Sequence, residues 1–393
     1  MIYADSPGRL SGQPSTPLLI VGGGIMGLWA AVHAERQGID AILLDSGRLG
    51  QGASGGLLGA LMPHMPDKWS EKKQFQFDAL LSLEDEIHRL EDATGLQAGY
   101  RRSGRLIPLP KAHLRPIAER HNVDARSHWV AGERRFHWHV LDAALSPDWP
   151  APAFVEAGLV HDTLAARVSP RGLGAVLSAY LKTARHVRVI EGAEVVRIDS
   201  SADEALLGDW TAIAFGHCII AAGHRAFPLL EALGDPLPHR LGQPVKGQAA
   251  LLKAELDPGL PLLYLDGLYI VPHDGGHVAI GSTSENRFDD PLATDGQLEE
   301  LIERARLLAP CLAQATIVER WAGLRPKAID RDPMVGAHPD HANVIALTGG
   351  FKVSFGMAHR LAEAAIAAVC GGPLGLPAGF SLENHLVAAS RKT

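Results

Sequence analysis

Leu18-Leu19-Ile20-Val21-Gly22-Gly23-Gly24-Ile25-Met26-Gly27 is an apolar run that ends in glycines, and a helical pattern begins at once. Gly22, Gly24 and Gly27 have the G-x-G-x-x-G spacing of a dinucleotide-binding turn. Gly22 permits the tight turn out of a strand, Gly24 lets the backbone approach a pyrophosphate, and Gly27 lets the helix pack close to the strand. The helix N-terminus offers free N–H groups and the positive end of its dipole to phosphates. Outward from the turn, residues 17–21 read as a short buried parallel strand, 25–37 as a helix closed by Gly38, and 39–44 as a second strand. Asp45 ends that strand about 20 residues past the glycines, where a carboxylate accepts from ribose hydroxyls. Its plainer role is to cap a turn.

The next loop, Gly50-Gln51-Gly52-Ala53-Ser54-Gly55-Gly56-Leu57-Leu58-Gly59-Ala60, is rich in small residues. Its backbone can lie against a flat or phosphorylated ligand, and its interleaved leucines argue against a solvated linker. Helices are expected over 72–90, 169–183, 295–308 and 355–369, and strands over 187–190, 194–198, 217–221 and 343–347. Between 241 and 283 the pattern becomes antiparallel: short strands at 248–252, 262–265, 267–271 and 277–281, with turns at Asp266-Gly267 and Asp274-Gly275-Gly276. Thr348-Gly349-Gly350-Phe351-Lys352 repeats the opening logic of strand, glycine turn and helix. A second helix N-terminus thus points at the ligand of the first. From 104 to 149 the pattern is weak, and 381–393 reads as a peripheral tail.

The net charge of −7 leaves no nucleic-acid footprint, and Arg101, Arg102 and Arg105 read as a solvated face. Cys218, Cys311 and Cys370 are far apart, which suggests neither zinc nor a disulfide framework and suits a reducing, cytoplasmic setting. His137 and His139 would share one face of a strand but have no ligating partner nearby, so no metal is assigned. Residues 1–16 lack the apolar core of a signal peptide and read as a disordered tail. No apolar run is long enough to span a bilayer.

Taken in order, these motifs resemble the FAD-dependent D-amino-acid oxidase superfamily, in its glycine oxidase and monomeric sarcosine oxidase branch. Beyond the glycine turn with Asp45, the resemblance rests on the Ala53-Ser54 to Ala60 loop, Pro244-Val245-Lys246-Gly247-Gln248 and Leu268-Tyr269-Ile270-Val271-Pro272. It rests also on Ala279-Ile280-Gly281-Ser282-Thr283 and Trp321-Ala322-Gly323-Leu324-Arg325-Pro326. It implies an α/β fold of two domains: a Rossmann-like FAD-binding domain (17–95, 151–225 and 330–393) and an inserted antiparallel-sheet substrate domain (96–150 and 226–329). It implies FAD contacts from Gly22, Gly24, Ile25, Met26, Gly27, Asp45, Ser46, Ala53, Ser54, Leu58, Gly59, Ala60, Val195, Ala222 and Gly223. Gly350, Phe351, Lys352, Val353, Ser354, Phe355 and Gly356 would complete the FAD site.

By the same resemblance Arg325 binds a substrate carboxylate and Tyr269 lines the pocket. Lys352 departs from the glycine oxidase pattern and matches the lysine of sarcosine oxidases, so the chain combines the carboxylate sites of two branches. Guanidinium and ammonium are not interchangeable. No cysteine lies near 321–332, where sarcosine oxidases attach their flavin, so non-covalent FAD is expected. His224 follows Ala222-Gly223 with no evident reason. The implied activity is oxidation of the C–N bond of a small amino acid or secondary amine by hydride transfer to flavin N5. Electrons would pass on to dioxygen or a quinone. A dehydrogenase for a hydroxy acid or polyol phosphate, a flavin-binding subunit with little activity alone, and an NAD-only dehydrogenase are the competing readings. A homo-oligomer is compatible with all of them.

Overall fold

The structure, a computed structural model, describes residues 14–144 and 146–391. Strand Ser15–Val21 lies at the centre of the first sheet, parallel to Ala41–Asp45 on one side and Ala212–Ile220 on the other. Val187–Glu191 extends the sheet beyond Ala41–Asp45, and His341–Thr348 extends it beyond Ala212–Ile220, both in parallel. A continuous apolar run is what a parallel strand covered on both faces requires. Leu18 and Ile20 enter a core with helices Ile25–Arg36, Glu71–Thr94, Pro170–Lys182 and Ser354–Val369. Leu19 and Val21 enter the core on the opposite face. On the side away from Ser15–Val21, Ala212–Ile220 is shared between two neighbours. Its first residues pair antiparallel with Glu204–Leu207, and Cys218 to Ile220 pair parallel with His341–Thr348.

The second sheet runs in the order Thr316–Ala328, Gly242–Lys253, His277–Gly281, Leu268–His273, Leu262–Leu265, Arg105–Pro108, Leu159–Asp162, Trp138–Leu141. Every adjacent pair is antiparallel except Leu262–Leu265 with Arg105–Pro108. Helix Gly296–Leu308 covers one face with Leu298, Ile302 and Ala305. The other face carries Ala249, Leu262, Val271 and Ala279, with Leu57, Leu58, Ala60, Tyr269 and Trp321 packed against them. That face looks toward the first sheet.

The structure changes several expectations. The tail does not reach position 16, because Ser15 and Thr16 already belong to the first strand; residues 1–13 lie outside the described part. Residues 381–391 are not a loose tail. Helix Leu382–Ser390 buries Leu382, His385 and Ala389, and Ser381 caps it. The weak stretch holds a helix, Arg115–His128, that buries only Ala118 and Ala125 and so carries little apolar signal. Leu159–Asp162, expected in the first unit, pairs into the second sheet. The strand expected at 248–252 extends over Gly242–Lys253. Arg105 is not solvated: it is buried in an ion pair with Asp162, Nη2 to Oδ2 at 2.6 Å.

Candidate active site

A cleft of about 1090 Å³ runs between the two sheets, above the carboxyl ends of the parallel strands. Such ends are where open α/β sheets bind ligands, and the volume is at the upper end for cofactor-sized sites. Gly22 has φ +107°, a left-handed conformation that favours glycine. Gly24 has an ordinary φ of −74°, and a Cβ there would meet only Ser54 Oγ, at 3.3 Å. Its backbone therefore stands bare at the cleft. Ser54 Oγ accepts the amide of Ile25 at 2.9 Å, and no side chain of Gly24 caps the helix. First-turn amides have no carbonyl below them within the helix. Asp45 accepts from Gly23 N and Gly47 N, each at 2.7 Å, so it does brace the turn while also lining the cleft with Ser46 and Ala53.

Further along, Leu58, Gly59 and Ala60 form one wall, with Val195, Ala222 and Gly223 across from the glycine turn. Thr348 Oγ1 donates to the Gly223 carbonyl at 2.8 Å and fixes that corner. The second turn enters the cleft through Phe351, Lys352, Val353, Ser354, Phe355 and Gly356. Phe351 has φ +43°, and its amide donates to the Pro326 carbonyl at 3.1 Å. Helix Ser354–Val369 starts there with no side-chain cap, so two helix N-termini face one cleft. Gly27 and Gly350 stand behind the wall. A Cβ at Gly27 would strike the Gly22 carbonyl oxygen, and one at Gly350 would strike Met26 and Ser354. Their part is close packing.

At the other end the wall is made by Tyr264, Tyr269, Ser282, Trp321, Arg325 and Lys352. The tyrosine rings tilt against each other at 5.0 Å between centroids. Burial, and then Tyr264, raise the pKa of the Tyr269 phenol, which keeps it a neutral donor. Burial pulls Arg325 down to about 10, against the influence of Tyr269 and Glu285, so the guanidinium remains charged at neutral pH. Lys352 is also depressed, by burial and then by Arg325. Among the described residues, neither cation has a carboxylate within ion-pair distance. Two like charges left uncompensated in one cleft make a site for an anionic group.

Sequence reasoning missed Met62, His64 and Arg105, which line the cleft, and Gly247, over which the Arg325 guanidinium lies. Gly247 was within a quoted motif, but only strand register reveals what its missing side chain makes room for. His224 lines the cleft too, with a pKa lowered by burial and then Arg225.

The family profile "DAO: FAD dependent oxidoreductase" matches residues 18–364. The chain belongs to this family. Relatives in it include the glycine oxidases of Bacillus licheniformis, 26% identical over 91% of this chain and 93% of that protein, and of Pseudomonas putida, 28% identical over 86% and 90%. The crystal structure of glycine oxidase from Geobacillus kaustophilus superposes with a TM-score of 0.83 at 24% identity, over 94% of this chain and 99% of that one. Iminodiacetate oxidase from Chelativorans sp. BNC1 superposes at 0.79 and 24%, over 93% and 98%. This protein is therefore an FAD-dependent oxidoreductase of the DAO family, with that family's two-sheet fold. The cleft suits the cofactor on its own terms. Gly24 leaves the backbone bare at the cleft, two helix starts face it, the second with no side-chain cap, and Asp45 lines it. No described helix is long and apolar enough to cross a membrane.

Proposed function

We propose that this protein oxidises the C–N bond of a small amino acid or secondary amine, with Arg325 and Lys352 binding the substrate carboxylate. The observation that carries this reading is the pair of cations in the cleft wall with no carboxylate within ion-pair distance among the described residues. FAD, when bound, supplies the two-electron acceptor. Arg325 presents a planar fork to one end of the substrate and Lys352 a mobile point charge. Together they hold the reacting carbon in one orientation, which removes much of the entropic barrier. Tyr269, Tyr264 and Trp321 add aromatic surface to the same end of the cleft. A cation beyond the one that neutralises the carboxylate also lowers the pKa of the substrate ammonium, favouring the neutral amine that is oxidised. The names of the glycine oxidase relatives support this substrate class.

The cysteines support non-covalent FAD against a cysteine link: Cys218 is buried in the first sheet, Cys311 and Cys370 are exposed, and none lines the cleft. Dioxygen or a quinone would take the electrons. A polyol phosphate is the weaker reading, because the third basic group at this end, Arg105, is already neutralised by Asp162.

The test is anaerobic bleaching of the bound flavin by glycine, sarcosine, D-amino acids, proline-like amines and hydroxy acids. Amines bearing a carboxylate should reduce it, and Arg325→Ala should weaken that reduction while FAD stays bound. Reduction by hydroxy acids alone would overturn the reading. Heat or acid should release the flavin into the supernatant; flavin retained in the pellet would overturn its non-covalent part.

A further inference from the structure

Behind Arg325 lies a buried polar cluster that plays no part in the chemistry above. Arg325 sits opposite Val245, and Gly323 opposite Gly247, on the long antiparallel pair. The guanidinium lies across Gly247, where a Cβ would collide with it. From there Nη1 donates to the main-chain carbonyl of Thr283 at 3.1 Å. Thr283 is held in turn. Its hydroxyl accepts from Gln248 N at 2.9 Å and donates to the Glu285 carboxylate. Gln248, fully buried, donates through Nε2 to Glu285 at 3.0 Å and to Asp295 at 2.9 Å, and its Oε1 accepts from Asp295 N at 2.8 Å. Lys246, also buried, has its ammonium 3.7 Å from Glu285 and 3.6 Å from Asp295. Lys246 and Glu285 exchange main-chain hydrogen bonds at 3.0 and 2.9 Å. Asp295 caps helix Gly296–Leu308. The cluster thus runs without a break from a helix cap to the guanidinium.

Burying two charges and an amide is costly, and apolar side chains of the same volume would often serve stability as well. What the cluster does here is specific. It fixes Arg325 through a carbonyl, which orients the fork but leaves its charge unspent. A carboxylate placed directly on the guanidinium would compete with an incoming anion. Glu285 is kept one hydrogen bond back, its own charge engaged by Lys246.

We propose that Thr283, Gln248, Glu285 and Lys246 are positioning residues for the Arg325 guanidinium, holding it in its carboxylate-binding pose over Gly247. This rests on the reading of Arg325 as the carboxylate ligand. The test is a double-mutant cycle on the FAD-loaded enzyme, read as the dissociation constant of acetate from the perturbation of the flavin spectrum, with melting temperature measured alongside. Arg325→Met should weaken acetate strongly. Thr283→Val should weaken it about tenfold in the wild-type background and not at all beside Arg325→Met, and Thr283→Ser should restore it. Gln248→Met is the second variant should Thr283→Val not fold, with the same expectation. Acetate binding unchanged by Thr283→Val, or an equal loss in both backgrounds, overturns the positioning role while leaving Arg325 as ligand. Acetate binding unchanged by Arg325→Met overturns both.

Discussion

One methyl group, placed at Gly24 or at Gly27, should separate cofactor binding from folding. Gly24 has φ −74°, which alanine adopts freely, and its Cβ would meet only Ser54 Oγ at 3.3 Å. The unloaded protein should therefore lose only about 1 kcal/mol or less on Gly24→Ala, the cost of alanine at a helix N-cap. The same methyl stands where a pyrophosphate must touch the backbone, so FAD affinity should collapse. At FAD one hundredfold above its dissociation constant, the wild type gains about 2.7 kcal/mol. With an unfolding entropy of about 2.1 cal/mol/K per residue, the 393-residue chain has roughly 0.8 kcal/mol/K. The FAD-dependent rise in Tm is then about 3 °C for wild type and about zero for Gly24→Ala. At Gly27 the Cβ would enter the Gly22 carbonyl oxygen and lie 3.0 Å from its carbon. The helix must then move off the strand, at a cost of about 1–3 kcal/mol or more, and the unloaded protein itself melts lower. The assay is thermal unfolding of flavin-free protein with and without added FAD. A Gly24→Ala protein that keeps the full FAD-dependent rise, or a Gly27→Ala protein whose unloaded Tm does not move, would refute the assignment of these two glycines.

Two further expectations concern pH. Burial and the neighbouring Arg325 hold the Lys352 pKa below the ordinary lysine range, so its charged form is lost early as pH rises. Acetate affinity should fall through that pKa by about tenfold or more, the worth of one charge-assisted hydrogen bond, and Lys352→Gln should leave only the fall that Arg325 itself imposes near 10; a pH profile of the same shape in the variant counts against Lys352. The second expectation concerns stability in acid. Burial, reinforced by His33, lowers the fully buried His359 to about 3, and burial with Arg167 lowers His273 to about 4, while both titrate near 6.5 when unfolded. Between those values the unfolded chain binds more protons, so stability is complete above pH 6.5 and declines as pH falls, by roughly 2 kcal/mol per histidine at pH 5. Urea midpoints of wild type and His359→Gln at pH 7 and pH 5 check this. An identical acid loss in the two proteins counts against His359.

The glycine turn was legible because its physics is local: strand, turn and helix are neighbours in the chain. Strands at 262–265 and 277–281 were legible for the same reason, being bounded by Asp-Gly and Gly-Gly turns. Helix Arg115–His128 was not, because it offers two small buried residues in place of an apolar stripe. Helix Leu382–Ser390 did carry a signal, buried positions three and four apart behind a serine cap, in a stretch short enough to pass for a tail. The burial of Arg105 could not be read at all. Its partner Asp162 stands opposite it only because Arg105–Pro108 and Leu159–Asp162 pair in that register. Arg325 and Lys352 were each singled out from motifs. That they face one cleft and repel each other depends on two distant segments, and no local pattern encodes that.

The Pro326 carbonyl receives the Phe351 amide, immediately beside Arg325 on one side and Lys352 on the other. One hydrogen bond thereby ties the strand that carries Arg325 to the turn that carries Lys352. Arg325 belongs to a long ladder with Gly242–Lys253, where a slip of one residue would turn every side chain to the opposite face. Divergence by substitution along that ladder can reshape the Arg325 end of the cleft while the turn at Phe351 stays put. A single inserted or deleted residue would shift both at once. New substrates in this architecture should therefore arise through point changes on the strand, with length variation confined to the loops beyond it.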